Sequence, residues 1–137
     1  HWNSQARGQI SGISRGTGRG HIARATLEGI ALQNADILRA MEQDLGSGLG
    51  SLKVDGGASA NNLLMQIQAD LLGVHVIRPA QLEATGIGAA FLAGLGVGLW
   101  ESTASISEAW AQDTAFVPKN DMGELVERWR EALSRLT

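Results

Sequence analysis

The chain has 137 residues, 44% apolar and 18% charged, with a formal net charge of −3 and no cysteine. This is enough for one domain with a real core, while the acidic balance supplies no basic stripe for a nucleic-acid partner. The lack of cysteine rules out disulfides and thiolate metal sites and fits a reducing cytoplasm, and no window approaches the roughly 18 unbroken apolar residues of a membrane span.

The opening, His1-Trp2-Asn3-Ser4, has no charged region followed by an apolar one, so no signal peptide is expected; the abrupt start reads as a piece of a longer protein. Residues 9–14 alternate polar and apolar side chains as a half-buried strand does. A glycine-rich loop, Arg15 to Gly20, leads into a long helix to about Leu45. Its apolar stripe is Leu27, Ile30, Ala31, Ile37, Leu38, Met41 and Leu45, and Gly46-Ser47-Gly48 ends it. A strand over 51–54 follows, then a helix over 62–72, then a strand over 74–77 closed by Pro79. Residues 84–100, interrupted by Gly88, Gly94, Gly96 and Gly98, read as a buried helix packed flat on the sheet. After residue 100 two amphipathic helices, 105–111 and 123–136, are expected, joined by Thr114-Ala115-Phe116-Val117-Pro118. Strands alternating with helices predict parallel pairing.

The stretch with most chemical content is Asp55-Gly56-Gly57-Ala58-Ser59-Ala60-Asn61-Asn62, between the second strand and its helix. Two glycines there let backbone approach a ligand where a Cβ would clash. The helix start behind them offers N–H groups and the positive end of a dipole, which suits a nucleotide or phosphate. A packing turn of the same composition is the competing reading.

Other patterns carry less. Gly16-Thr17-Gly18-Arg19-Gly20 lacks the spacing of a dinucleotide fingerprint. His1, His21 and His75 are scattered and predict no zinc site, His21 being a packing or capping residue near a helix start. No Gly-x-Ser-x-Gly follows a strand, so hydrolase chemistry is not expected. Glu83 and Asp70 read as solvated charges, and Trp100, Trp110 and Trp129 as apolar anchors of the carboxy-terminal end or of a surface that self-associates.

Several of these segments together resemble the FGGY carbohydrate kinases. Gly8-Gln9-Ile10-Ser11-Gly12-Ile13, seven loop residues, and His21-Ile22-Ala23-Arg24-Ala25-Thr26-Leu27-Glu28 are similar to a family signature. The Asp55 to Asn62 run with Met65-Gln66, Arg78-Pro79, Glu83-Ala84-Thr85 and Gly88-Ala89-Ala90-Phe91-Leu92-Ala93-Gly94 resemble the glycerol-phosphorylating branch. The likeness runs in order along the chain and weakens after about Asp113.

This resemblance implies an α/β fold, a portion of an actin-like (ribonuclease-H-like) ATPase domain with carboxy-terminal helices, divided here as residues 1–100 and a helical extension 101–137. It implies the carboxy-terminal, nucleotide-binding side of an ATP-dependent kinase that passes the γ-phosphoryl to the terminal hydroxyl of glycerol. ATP or ADP would be bound with Mg2+. Gly57 is similar to a family glycine that touches the nucleotide through its backbone, Asn61 to an asparagine at the adenosine end, and Gly56 shares the turn. Asp55 would fix the turn or lie near the metal.

The family's catalytic aspartate, its polyol-holding residues and its phosphate-binding Thr-Gly loops all belong to segments outside this chain. No catalytic residue and no metal ligand is therefore expected here, and the chain alone is expected to be inactive. A cytoplasmic homo-oligomer is expected, with glycerol held by the amino-terminal domain. The rival readings are a xylulose- or gluconate-type sugar kinase of the same family, and a non-catalytic nucleotide-binding module of actin-like fold.

Overall fold

The computed structural model describes residue 5, residues 7–108 and residues 112–135. Along them run α1 (Arg19–Leu45), β1 (Ser51–Lys53), α2 (Asn62–Leu72), β2 (His75–Pro79), α3 (Ala84–Gly96), α4 (Thr103–Glu108), β3 (Gln112–Phe116) and α5 (Gly123–Ser134). A 3-10 turn, Gly57–Ala60, stands between β1 and α2.

The core is the seam between α1 and α2. Ala31, Leu32 and Ala35 of α1 meet Leu64, Met65, Ile67 and Leu71 of α2, and Val76, Phe116 and Val126 close the cluster. Two alanines on the α1 side let the helices approach closely. Each large side chain buried there contributes about 1.5–3 kcal/mol. One buried polar residue lies in this seam, and its bonds are made. Gln68 Nε2 donates to the Ala31 carbonyl at 3.3 Å, and its Oε1 accepts from Asn34 Nδ2 at 3.2 Å. Where α1 begins, the Gly18 N–H donates to His21 Nδ1 at 3.1 Å, so His21 caps the helix as its place in the sequence predicts.

β1 pairs with β2 in parallel, Ser51 opposite His75 and Lys53 opposite Ile77. β2 pairs with β3 antiparallel, Val76 opposite Phe116 and Arg78 opposite Thr114. The all-parallel expectation thus fails at the third strand, and the supposed connector 114–118 is largely that strand. In it Thr114 is half-buried, Ala115 exposed and Phe116 buried, and Pro118 follows.

Residues 9–14 form no strand. Ile10 and Ile13 are exposed, and the segment has no ladder partner among the described residues. Alternation marks a residue pattern suited to a sheet, but a strand exists only where a second backbone pairs with it.

α3 ends at Gly96 rather than residue 100, and it is not buried. Gly94 is its one buried residue, while Leu92 is 71% exposed. The chain turns back after it, so that Trp100 meets Phe91 edge-on with ring centroids 5.8 Å apart. A Cβ on Gly94 would stand 2.6 Å from Trp100 Cδ1, so glycine lets that ring close.

In the carboxy-terminal stretch, the described part of the first expected helix is α4, and residues 109–111 with Trp110 lie outside the described residues, as do His1 and Leu136. α5 buries Val126 and packs Leu125 and Trp129 against the core, and Trp129 Nε1 donates to Asp36 Oδ2 at 2.8 Å. No described helix is long and apolar enough to cross a membrane.

Candidate functional site

β1 and β2, being parallel, end on the same side, and the two loops that leave them meet there. After Lys53 the ladder continues for one more bond, from the Val54 N–H to the Ile77 carbonyl at 3.0 Å. The chain then bends at Gly56, whose φ of 80° and ψ of 169° fall in a region open essentially to glycine alone. Its N–H donates to the Leu82 carbonyl at 2.7 Å, which joins the post-β1 loop to the post-β2 loop. Its carbonyl accepts from both the Ser59 N–H at 3.0 Å and Ser59 Oγ at 2.7 Å. Ser59 is 2% exposed and its hydroxyl is satisfied by that bond.

Gly57 differs from its neighbour. It has ordinary backbone angles, it is exposed, and a Cβ built on it meets nothing within 4 Å. Nothing among the described residues requires glycine there. A need for glycine at Gly57 must come from something that docks against it.

Asn61 caps α2, its Oδ1 accepting from the Leu64 N–H at 3.1 Å. α2 opens at Asn62, where the sequence reading placed it, a 3-10 turn fills the space between it and the glycines, and the cap takes one amide oxygen. Asn61 is left with its Nδ2 donors. The three sequence-predicted site residues, Gly56, Gly57 and Asn61, are therefore gathered at one exposed corner at the carboxyl ends of two parallel strands, where ligands of open α/β sheets bind.

Sequence reasoning missed what braces this corner. Arg78, near the end of β2, is only 12% exposed. Its Nη1 donates to the carbonyls of Ser59 (3.1 Å) and Ala60 (3.4 Å) and to Asn62 Oδ1 (2.8 Å). On its other side Nε and Nη2 converge on Asp113 Oδ2 at 2.9 and 2.7 Å, and Nη2 reaches Thr114 Oγ1 at 3.2 Å. The guanidinium also lies 5.3 Å from the centre of the Phe116 ring. The hydrogen bond from Thr114 and those from Arg78 hold the Asp113 carboxyl below its ordinary range. Asp55, by contrast, makes no hydrogen bond among the described residues; Ser59 and Arg78 fix the turn.

Asp70 also departs from expectation. It accepts from Gln66 Nε2 (2.8 Å), the Lys119 N–H (2.8 Å) and Asn120 Nδ2 (2.7 Å), tying α2 to the segment after β3. Partial burial pushes its carboxyl up, but these donors outweigh it and the net shift is downward. It is a structural tie, not a solvated charge.

Among the described residues no group of three His, Asp or Glu side chains converges to hold a metal ion. A groove of about 650 Å3 between residues 7–11, α1 and α5 shares no residue with the glycine corner.

Residues 1–97 match the C-terminal domain of the FGGY family of carbohydrate kinases. The chain belongs to that family, and its small mixed sheet with flanking helices is part of the family's actin-like, ribonuclease-H-like fold. Among named relatives, a glycerol kinase of Trichlorobacter lovleyi is 54% identical over 98% of this chain, and one of Deinococcus radiodurans is 51% identical over 98%. The chain spans about 28% of the length of each. Among solved structures, Plasmodium falciparum glycerol kinase with ADP is similar with a TM-score of 0.86 and 36% identity, over 98% of this chain and 28% of that one. The xylulose kinase of Rhodospirillum rubrum follows at 0.73 and 26%, over 96% of this chain and 27% of that one.

Proposed function

We propose that this chain is the nucleotide-side portion of a glycerol kinase, the whole enzyme passing the γ-phosphoryl of ATP to glycerol. The observation that carries this is the identity of 54% to a named glycerol kinase over 98% of the chain. The xylulose-kinase rival rests on 26% identity. The structural neighbour was solved with ADP, and the corner described above suits that ligand chemically.

In this reading the bend at Gly56 turns the backbone outward, and Gly57 presents a surface without a side chain to the nucleotide. Asn61, fixed in rotamer by its cap, offers Nδ2 to acceptors of the adenosine end. Magnesium would arrive on the nucleotide phosphates and neutralise their charge. The described residues do not make a metal site, so no step on this chain is assigned to it. The base that accepts the glycerol proton and the groups that hold the polyol are assigned to segments outside these residues. Phosphoryl transfer works by positioning plus charge neutralisation around the phosphates. The 137-residue chain alone should therefore show no turnover.

The test is a coupled assay on the intact protein with glycerol, xylulose and gluconate as acceptors. ATP-dependent phosphorylation of glycerol is expected, with Gly57→Val raising the KM for ATP at least tenfold, the loss of about 1.4 kcal/mol of binding, while the KM for glycerol holds. Preference for another acceptor would overturn the substrate, and an unchanged ATP KM in the variant would overturn the site.

A further inference from the structure

We propose that Arg78 is a positioning residue for the nucleotide, holding the backbone on either side of Asn61 in the one arrangement the ligand meets. This rests on the nucleotide reading of the glycine corner.

The Arg78 fork joins the turn before α2 to the bulged strand β3. On one side are the carbonyls of Ser59 and Ala60 and the side chain of Asn62. These groups bracket Asn61, and the two carbonyls sit where the 3-10 turn gives way to α2 and backbone acceptors lose regular partners. On the other side is Asp113 of β3. The sheet is irregular at just this point. Arg78 lies opposite Thr114, but Pro79 lies opposite Gln112, so Asp113 is an extra residue on its strand. Such a bulge re-aims a side chain, and here the carboxylate of the extra residue takes two guanidinium donors on a single oxygen. Thr114 Oγ1 donates to the same oxygen at 2.8 Å, which fixes its orientation.

The register of β2 against β3 is thus transmitted through one planar cation to the turn that carries Gly57 and Asn61. Lysine cannot replace it: a single ammonium has no fork to engage Asp113 and the three acceptors together. A turn displaced by about 1 Å costs up to about a hundredfold at a site that works by positioning.

The test uses the intact protein with Arg78→Lys, which keeps the charge and most of the volume, and Asp113→Asn, which keeps an acceptor but loosens the anchor. ADP binding is measured by calorimetry beside the ATP and glycerol KM values, kcat and thermal melting. Arg78→Lys should weaken ADP about ten- to a hundredfold and raise the ATP KM alike, with kcat and the glycerol KM within about twofold. Asp113→Asn should give a smaller loss of the same kind. The inference is overturned if Arg78→Lys leaves ADP affinity unchanged. It is equally overturned if ADP and glycerol weaken together in step with a lost folded fraction, since that is the mark of a merely structural bond. The ADP readout does not depend on the acceptor, so a wild-type protein that binds ADP yet ignores glycerol defeats the kinase reading and leaves this one standing.

Discussion

α2 and α3 are built from similar material and end in opposite surroundings. Each is rich in apolar residues, each follows a strand of the same sheet, and each leaves a loop on the same side. Yet α2 buries Leu64, Met65, Ile67, Gln68, Ala69 and Leu71, whereas α3 buries only Gly94. α2 has α1 and the sheet against it; the described residues put no comparable surface over α3. Apolar content tells a helix that it needs cover, and the cover itself is a property of the neighbours.

The sharpest way to break that comparison is a truncation in α2 read by denaturant unfolding of the chain. Ile67→Ala removes a side chain that is 2% exposed between α1 and the sheet. A loss of about 2–5 kcal/mol is expected, transfer plus cavity. A loss below 1 kcal/mol would mean the α1–α2 seam is not where the stability resides.

The same inward-outward division runs through the glycine corner, one residue apart. Gly56→Ala forces a Cβ onto φ 80°, ψ 169° and should cost about 1–3 kcal/mol of stability. Gly57→Ala meets open space and should leave melting unchanged while weakening nucleotide. If both variants melt alike, the division between a structural and a ligand-facing glycine fails.

How far the residues alone reveal this follows the same line. The α1, α2 and α5 helices are legible because periodicity and glycine stops are local, and the corner is legible because two glycines after a strand are unusual. What was lost depends on pairing. Residues 9–14 have the pattern of a strand and no partner among the described residues; β3 has a partner, β2, about thirty-five positions away in sequence, which no local pattern announces. Arg78 shows the same limit. Beside Pro79 it reads as a strand end, and its role emerges only when β3 brings Asp113 to it and the 3-10 turn brings its carbonyls. A hub made of three separated segments leaves no contiguous trace.

Acid titration sharpens the contrast further. The Asp113 carboxyl is held below its ordinary range by Thr114 and Arg78, so its folded form binds protons less readily than its unfolded form. Stability from this group is fully present above the unfolded value, about 3.9, and is lost as pH falls through the lower folded value. Wild-type protein should therefore exceed Asp113→Asn in melting temperature by a constant margin between pH 5 and 8, a window lying above those values. The margin should shrink once pH drops below about 4. A margin that grows on acidification has the wrong sign for a depressed carboxyl and would break the Arg78–Asp113 account.

The smallest effect belongs to α3. Leu92→Ser replaces a side chain that is 71% exposed, so unfolding of this chain should shift by no more than about 0.5 kcal/mol. Leu92 makes little contact within these residues, and a polar replacement leaves no cavity and strands no buried partner. The informative step is to carry the substitution into the intact protein. If the relatives' further length supplies a surface over α3, the same change there should cost several times more, because the leucine would then be buried. Equal costs in both contexts would show that α3 is a solvent-facing helix despite its composition, and that the contrast with α2 is intrinsic to the fold and not to how much of it is present.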